Sequence, residues 1–238
     1  LINNIFLKGL VICTKKMKSI TIEPNSGIVE AEAGVMLPAL ANILAKNGLQ
    51  GGEWAVGIPG TLGGAICMNA GSGDLSISNN ILSVKVINTR TLERHEIEKK
   101  YIDFRYRFSP FQENNLIVIS AKLKFEPKGN IKELIKKTKN NLRIKTETQP
   151  YHLPSFGSVF KNPENNYAAK LIDDIGLKGF KIGGAEISKM HANFIVNNCS
   201  ASSKDIFDLI SVIQQKVLQN KGIFLKTEVR MIGFDYPN

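Results

Sequence analysis

The stretch AVGIPGTLGGAICMNAGSG, from Ala55 to Gly73, constrains this chain more than any other. It sets Gly57, Gly60, Gly63, Gly64, Gly71 and Gly73 among apolar neighbours, with one proline, Pro59, and no charged side chain. Glycine lets the backbone approach a partner closely and adopt positive φ, at an entropic cost in folding. A loop that only needed to turn would use one or two. Two standard nucleotide motifs do not fit. A P-loop needs Lys-Ser/Thr after its glycines, whereas Ala65 and Ile66 follow Gly64. The dinucleotide fingerprint needs GxGxxG opening a helix; here the spacing differs and a proline intervenes. Two readings stay open: a nest of backbone amides around phosphate, or tight packing against another loop.

The 238 residues, 43% hydrophobic and 22% charged, suffice for one large core or two modest ones. Short strands are expected at LVIC, SITIE and GIVEAEAG, then a helix over MLPALANILAKNG with Pro38 in its first turn and Gly48 ending it. SVKVINTRTLERHEIE reads as a hairpin turning near Asn88 to Thr91, and NLIVISAKLKFEP as a longer strand. Ile131 to Glu147 reads as a basic helix, and SVF as a short strand in the loop TQPYHLPSFGSVFKNP. Then follow a helix over YAAKLIDDIG, a strand over HANFIVN, and a helix from SSKDIFDLI to Gly222 with Ser203 as N-cap. LKTEVRMIG closes as a strand with Thr227, Val229 and Met231 on one face. Strands and helices mix without a regular βαβ rhythm, so the expected fold is α+β in two parts joined near 128–150.

A formal charge of +10 raises nucleic acid as a partner, but no aromatic residues interleave with the lysines of the basic helix. A solvated helix face, or attraction of an anionic small substrate, explains the same charge. Cys13, Cys67 and Cys199 lack CxxC pairing and are expected as small buried hydrophobes in a reducing, cytoplasmic setting rather than as a disulfide framework. No apolar run is long enough for a membrane span. The opening LINNIFLKGLVI lacks the marks of a signal peptide and reads as a strand that begins inside a domain. His95, His152 and His191 have no metal-ligand spacing, so no metal is expected.

GSVFKNP groups a hydroxyl (Ser158), an ammonium (Lys161) and an amide (Asn162), without the GxSxG context of an acyl nucleophile. If Ser158 acts, it suits proton donation to carbon; otherwise it is a turn residue. DFRYRFS sets Arg105, Tyr106 and Arg107 among aromatics, where an arginine fork suits a carboxylate. Glu228 either pairs with Arg230 along the strand or points inward as a carboxylate at a site.

In this order the motifs resemble the UDP-N-acetylenolpyruvoylglucosamine reductase (MurB) family, over essentially the whole chain. GIPGTLGGAICMNAG is similar to the family's GIPGxxGGAxxMNAG, FRYRFS to FGYRxS, and TQPYHLPSFGSVFKNP to TQPxxxPSxGSxFKNP. KGFKIGGAEISKMHANFIVN and LKTEVRMIG resemble the family's two closing motifs. The family's upstream TTFxxGG-like and GSN segments are not seen, and no tyrosine-bearing insertion follows FKNP, as in the shorter, second type. MNAGAYGG becomes Met68-Asn69-Ala70-Gly71-Ser72-Gly73, and FGYR becomes Phe104-Arg105-Tyr106-Arg107.

The resemblance implies an FAD-binding domain of the PCMH/vanillyl-alcohol-oxidase type over 1–127, N-terminally incomplete. A linker helix and loop over 128–150 and a smaller α+β substrate-binding domain over 151–238 would follow. It implies NADPH-dependent, FAD-mediated reduction of UDP-N-acetylglucosamine enolpyruvate to UDP-N-acetylmuramate in peptidoglycan precursor synthesis. Arg107, Ser158 and Glu228 match the catalytic positions. Gly57, Ile58, Pro59, Gly60, Thr61, Gly63, Gly64, Asn69, Ala70 and Gly71 match the flavin site, and Tyr106, Lys161 and Asn162 the substrate positions. The rivals are an FAD-dependent oxidase of the same fold, which would need no carbon protonation, and a basic nucleic-acid-binding module.

Overall fold

The computed structural model describes residues 11–113 and 115–234, and the chain divides into two compact units, the first Val11–Lys145 and the second from Thr146 onward. The first unit contains β1 (Ile20–Glu23), β2 (Ile28–Glu32), α1 (Leu37–Lys46), α2 (Leu62–Met68), β3 (Gly71–Ser72), β4 (Leu75–Ser76), β5 (Ile81–Asn88), β6 (Arg94–Glu98) and β7 (Leu116–Lys124). Five of these strands form one antiparallel sheet in the order β1-β2-β7-β5-β6. Inward-facing Val29, Ala31, Val84, Val86, Ala121 and Leu123 are fully covered. Their cover is α1, which buries Leu37, Leu40, Ala41 and Leu44 along one stripe, and α2, which buries Leu62 and Ile66. Each such aliphatic side chain contributes about 1.5–3 kcal/mol. The helix α3 (Ile131–Thr148) follows, with Leu134 and Thr138 buried beneath its basic face.

The second unit holds β8 (Ser155–Ser158), α4 (Ala168–Asp174), β9 (Lys181–Ile182), β10 (Ala185–Ile187), β11 (Phe194–Asn197) and α5 (Ser203–Lys221). Its four strands run in the order β8-β11-β10-β9, and α4 and α5 pack Leu171, Ile172, Leu209, Ile210, Ile213 and Val217 into a core with Phe160, Ile187 and Ile195.

Several expectations shift. A helix, α2, lies inside the glycine stretch that read as loop. Val11–Cys13 is exposed and carries no regular structure, while the rest of the expected first strand falls outside the described residues. LKTEVRMIG is extended but forms isolated bridges, at Thr227 to Phe160 and again at Ile232, rather than a strand ladder, although Val229 and Met231 do face the core. The N-cap of α5 is Ser202, not Ser203: Ser202 Oγ accepts from Asp205 N–H while Asp205 accepts the Ser202 N–H, a closed capping box. Of the cysteines expected inside, Cys13 and Cys199 are exposed, and only Cys67, half-buried on α2, packs against the core. Among the described residues no helix is long and apolar enough to cross a membrane.

Candidate active site

The glycines of the opening stretch divide into two kinds. Gly57 ends a turn whose Glu53 is only 3% exposed, accepts the Gly51 N–H at 3.1 Å and faces Lys137 Nζ at 3.7 Å. Two turns further along α3, Lys145 lays its stem over this turn, so a Cβ on Gly57 would stand 2.7 Å from Lys145 Cδ. At Gly63 a Cβ would meet that of Ala33 at 2.9 Å, and at Gly71 it would meet the Leu75 carbonyl oxygen at 2.2 Å. These three positions are occupied by glycine because neighbouring segments press on them. Ile58 and Ala70 likewise pack against the core, and Pro59 is exposed.

Gly60 and Gly64 differ. A Cβ on Gly60 (φ 145°) would meet nothing within 4 Å, and one on Gly64 only Thr61 Oγ1 at 3.6 Å. The amides divide similarly. Leu62 N–H donates to Val35, Gly63 N–H to Ala33, and Gly64 N–H to the N-cap side chain of Thr61. Those of Gly60 and Thr61 have no partner among the described residues. Two consecutive unused donors beside an open surface without Cβ atoms fit a diphosphate, so the residues present fit FAD. The open positions, Gly60, Thr61 and Gly64, are fewer than the whole glycine run.

The FRYRFS loop folds back onto the other end of α2. Asn69, 6% exposed and left-handed at φ 43°, ends the helix and donates from Nδ2 to the Arg105 carbonyl at 2.8 Å. Ser109 Oγ and Gln112 Nε2 both donate to the Cys67 carbonyl at 2.8 Å, and Gln112 Nε2 also reaches the Arg107 carbonyl at 3.2 Å. Asn69 therefore serves the architecture of the loop. Arg107 is half-buried, has φ 53°, and donates from Nη2 to the Gly71 carbonyl at 3.2 Å, with its guanidinium 5.1 Å from the exposed Tyr106 ring. Arg105 instead lies over Phe108 and pairs with Asp103. Burial first, and the Arg107 charge second, push the pKa of Lys145 below its ordinary value. Two cations drawn together in this way favour an anionic ligand.

In the second unit a short backbone lattice places the remaining candidates. Ser158 ends β8 opposite Phe194 of β11. Glu228 N–H donates to the Val159 carbonyl at 2.8 Å, and Lys161 N–H to the Lys226 carbonyl at 2.9 Å. The hydroxyl of Ser158, the ammonium of Lys161 and the half-buried carboxylate of Glu228 thus sit on adjoining extended segments. Asn193, 4% exposed, grips both sides of Phe160: its Oδ1 accepts the Phe160 N–H and its Nδ2 donates to the Phe160 carbonyl, each at 2.9 Å. Asn162 turns its side-chain oxygen to the Ala168 N–H at 3.1 Å and so caps α4. His191 takes the Asn193 N–H on Nδ1 at 3.2 Å, a turn-forming bond, while His95 and His152 are exposed.

Three site residues were not visible in the sequence as such: Gln112, Lys145 and Asn193. Gln112 bonds across 45 residues and Asn193 across 33, beyond the reach of any local pattern. Lys145 sat in a helix whose basic face read as solvated.

Residues 3–91 match the FAD-binding domain family, which sets the chain among flavin-binding proteins. Residues 149–232 match the C-terminal domain of UDP-N-acetylenolpyruvoylglucosamine reductase. The reductase of Prochlorococcus marinus subsp. pastoris (strain CCMP1986 / NIES-2087 / MED4) is 76% identical over 100% of this chain and 80% of its own length. That of Prochlorococcus marinus (strain NATL2A) is 48% identical over 98% and 80%. The crystal structure of UDP-N-acetylenolpyruvylglucosamine reductase (MurB) from Thermus caldophilus superposes with a TM-score of 0.74 at 33% identity, over 85% of this chain and 72% of that one. This chain belongs to the UDP-N-acetylenolpyruvoylglucosamine reductase family.

Proposed function

We propose that this chain reduces UDP-N-acetylglucosamine enolpyruvate to UDP-N-acetylmuramate, with Arg107, Ser158 and Glu228 as its catalytic groups. The observation that supports the reading is the lattice in which Ser158, Lys161 and Glu228 lie on adjoining segments, with the Glu228 N–H bonded to the Val159 carbonyl. Bound FAD would supply the chemistry of hydride transfer between NADPH and the enolpyruvyl group. Gly60, Thr61 and Gly64 would hold its diphosphate. Charge then develops on the substrate next to its carboxylate, and the Arg107 guanidinium, with Lys145 adding positive potential, stabilises it. Ser158 delivers the proton to the remaining carbon. A free hydroxyl is a weak acid, so Glu228 and Lys161 tune that transfer. Tyr106 and Asn162 stand near the substrate. In domain terms, 1–127 would bind flavin and 151–238 substrate, with 128–150 linking them. The three free cysteines suit a reducing, cytoplasmic setting.

Stopped-flow absorbance of the FAD-loaded protein tests the assignment. Ser158→Ala should leave bleaching by NADPH unchanged and slow anaerobic recolouring by the enolpyruvyl sugar by about 100-fold or more. Equal loss of both half-reactions would refute the role of Ser158.

A further inference from the structure

We propose that Gln112 is a positioning residue that holds Arg107 in its working conformation; this rests on the reading of Arg107 given above. Arg107 has φ 53°, a left-handed backbone that a non-glycine residue keeps only when its surroundings impose it. The turn closed by the reciprocal Arg105 and Phe108 main-chain bonds sets that conformation, and the Gln112 side chain fixes the Arg107 carbonyl within it. The Gln112 Nε2 has two hydrogens, and they go to two carbonyls: Arg107, in the same loop, at 3.2 Å and Cys67, on α2, at 2.8 Å. Cys67 is the penultimate residue of α2, beyond which Asn69 turns left-handed, so its carbonyl is one that the helix leaves over. Gln112 thereby ties residue 107 to the end of the helix that opens at the Thr61 cap. On the near side of the loop, Asn69 Nδ2 holds the Arg105 carbonyl at 2.8 Å. Arg107 stands between these two clamps, and its guanidinium is aimed by the Gly71 carbonyl.

The hub separates positioning from folding. Ser109 Oγ, 0% exposed, also donates to the Cys67 carbonyl at 2.8 Å, so α2 keeps a satisfied end when Gln112 is replaced. What is lost is the tie to residue 107. The flavin cradle at Gly60 and Thr61, at the opposite end of α2, is untouched.

The test compares Gln112→Met, Arg107→Ala and the double variant as FAD-loaded proteins, in both half-reactions by stopped flow. Gln112→Met should slow anaerobic recolouring by the enolpyruvyl sugar by roughly 10- to 100-fold, the scale of a misplacement of about 1 Å. Bleaching by NADPH, the KM for NADPH and the thermal midpoint should stay at parental values. The double variant should recolour no more slowly than Arg107→Ala alone. If Gln112→Met folds poorly, Gln112→Asn, which keeps an amide but cannot span both carbonyls, should show the same split. A parental recolouring rate in the Gln112 variants, beside a slow Arg107→Ala, overturns the inference alone, as does a double variant whose losses add in full. A parental rate in Arg107→Ala overturns the reading of Arg107 and this inference with it.

Discussion

The two units hold their candidate site residues with different balances of main-chain and side-chain bonds. In the second unit, Ser158, Lys161 and Glu228 lie on segments joined by main-chain bonds among β8, β11 and the stretch that bridges at Thr227. In the first unit the main chain closes only the tight turn from Arg105 to Phe108 around Arg107, and side chains anchor that turn: Asn69, Ser109 and Gln112 each reach a carbonyl. A backbone lattice tolerates substitution at most positions and fails all at once. A side-chain clamp loses its geometry one residue at a time. Asn193 is the exception in the second unit, a side chain inserted into the lattice.

Core substitution should show the contrast at its largest. Ile66, 0% exposed on α2, underlies both the glycine cradle and the arginine loop. Ile66→Ala should cost about 3 kcal/mol, read in urea by fluorescence of Trp54, the chain's single tryptophan and a residue of the first unit. An unmoved Trp54 transition would mean that α2 is not part of that unit's core. Asn193→Leu comes next. It leaves the Phe160 N–H and carbonyl without their partners, at a cost of about 2 kcal/mol. Far-UV circular dichroism should register the loss while the Trp54 transition stays in place. A matching shift at Trp54 would end the claim that the two sets of residues are held separately.

The smallest effect concerns acid. Backbone hydrogen bonds, first from Ser202 and then from Gly184, hold the Asp205 carboxyl below its usual range. A folded-state pKa below the unfolded one contributes stability above the unfolded value, and that contribution is lost as pH falls through the depressed folded value. Asp205→Asn should therefore flatten the acid limb of the second unit's stability, followed by circular dichroism between pH 5 and 2. An unchanged acid limb would show that other carboxylates set it.

The regular elements were legible where periodicity and punctuation agreed: α1 between Pro38 and Gly48, the hairpin of β5 and β6, and α5 up to Gly222. The helix α2 was not, because Gly63 and Gly64 have low helix propensity. It forms because Thr61 caps it and Leu62 and Ile66 gain more by burial than the glycines lose. The α5 cap was readable in principle, since Ser202 precedes Asp205 by the three residues of a capping box and Ser203 does not. LKTEVRMIG alternates like a strand but pairs through isolated bridges, because the Val159 carbonyl receives both Glu228 and Val229 N–H and interrupts the ladder there. Within the site, chemistry-bearing types such as Ser158 and Arg107 stood out, whereas Gln112 and Asn193 act only through partners that folding brings to them.

The division among the loop glycines bears on how such a chain drifts. Exchange at Gly63 or Gly71 collides with a neighbouring segment and is removed by misfolding, while at Gly57 it meets the Lys145 stem. At Gly64 a methyl group meets only Thr61 at ordinary contact distance and lies within a helix, where alanine is favoured over glycine by about 1 kcal/mol. That exchange would survive every screen for expression, solubility and heat resistance. Under the proposed assignment of the cradle, its damage would surface only when the protein is asked to turn yellow.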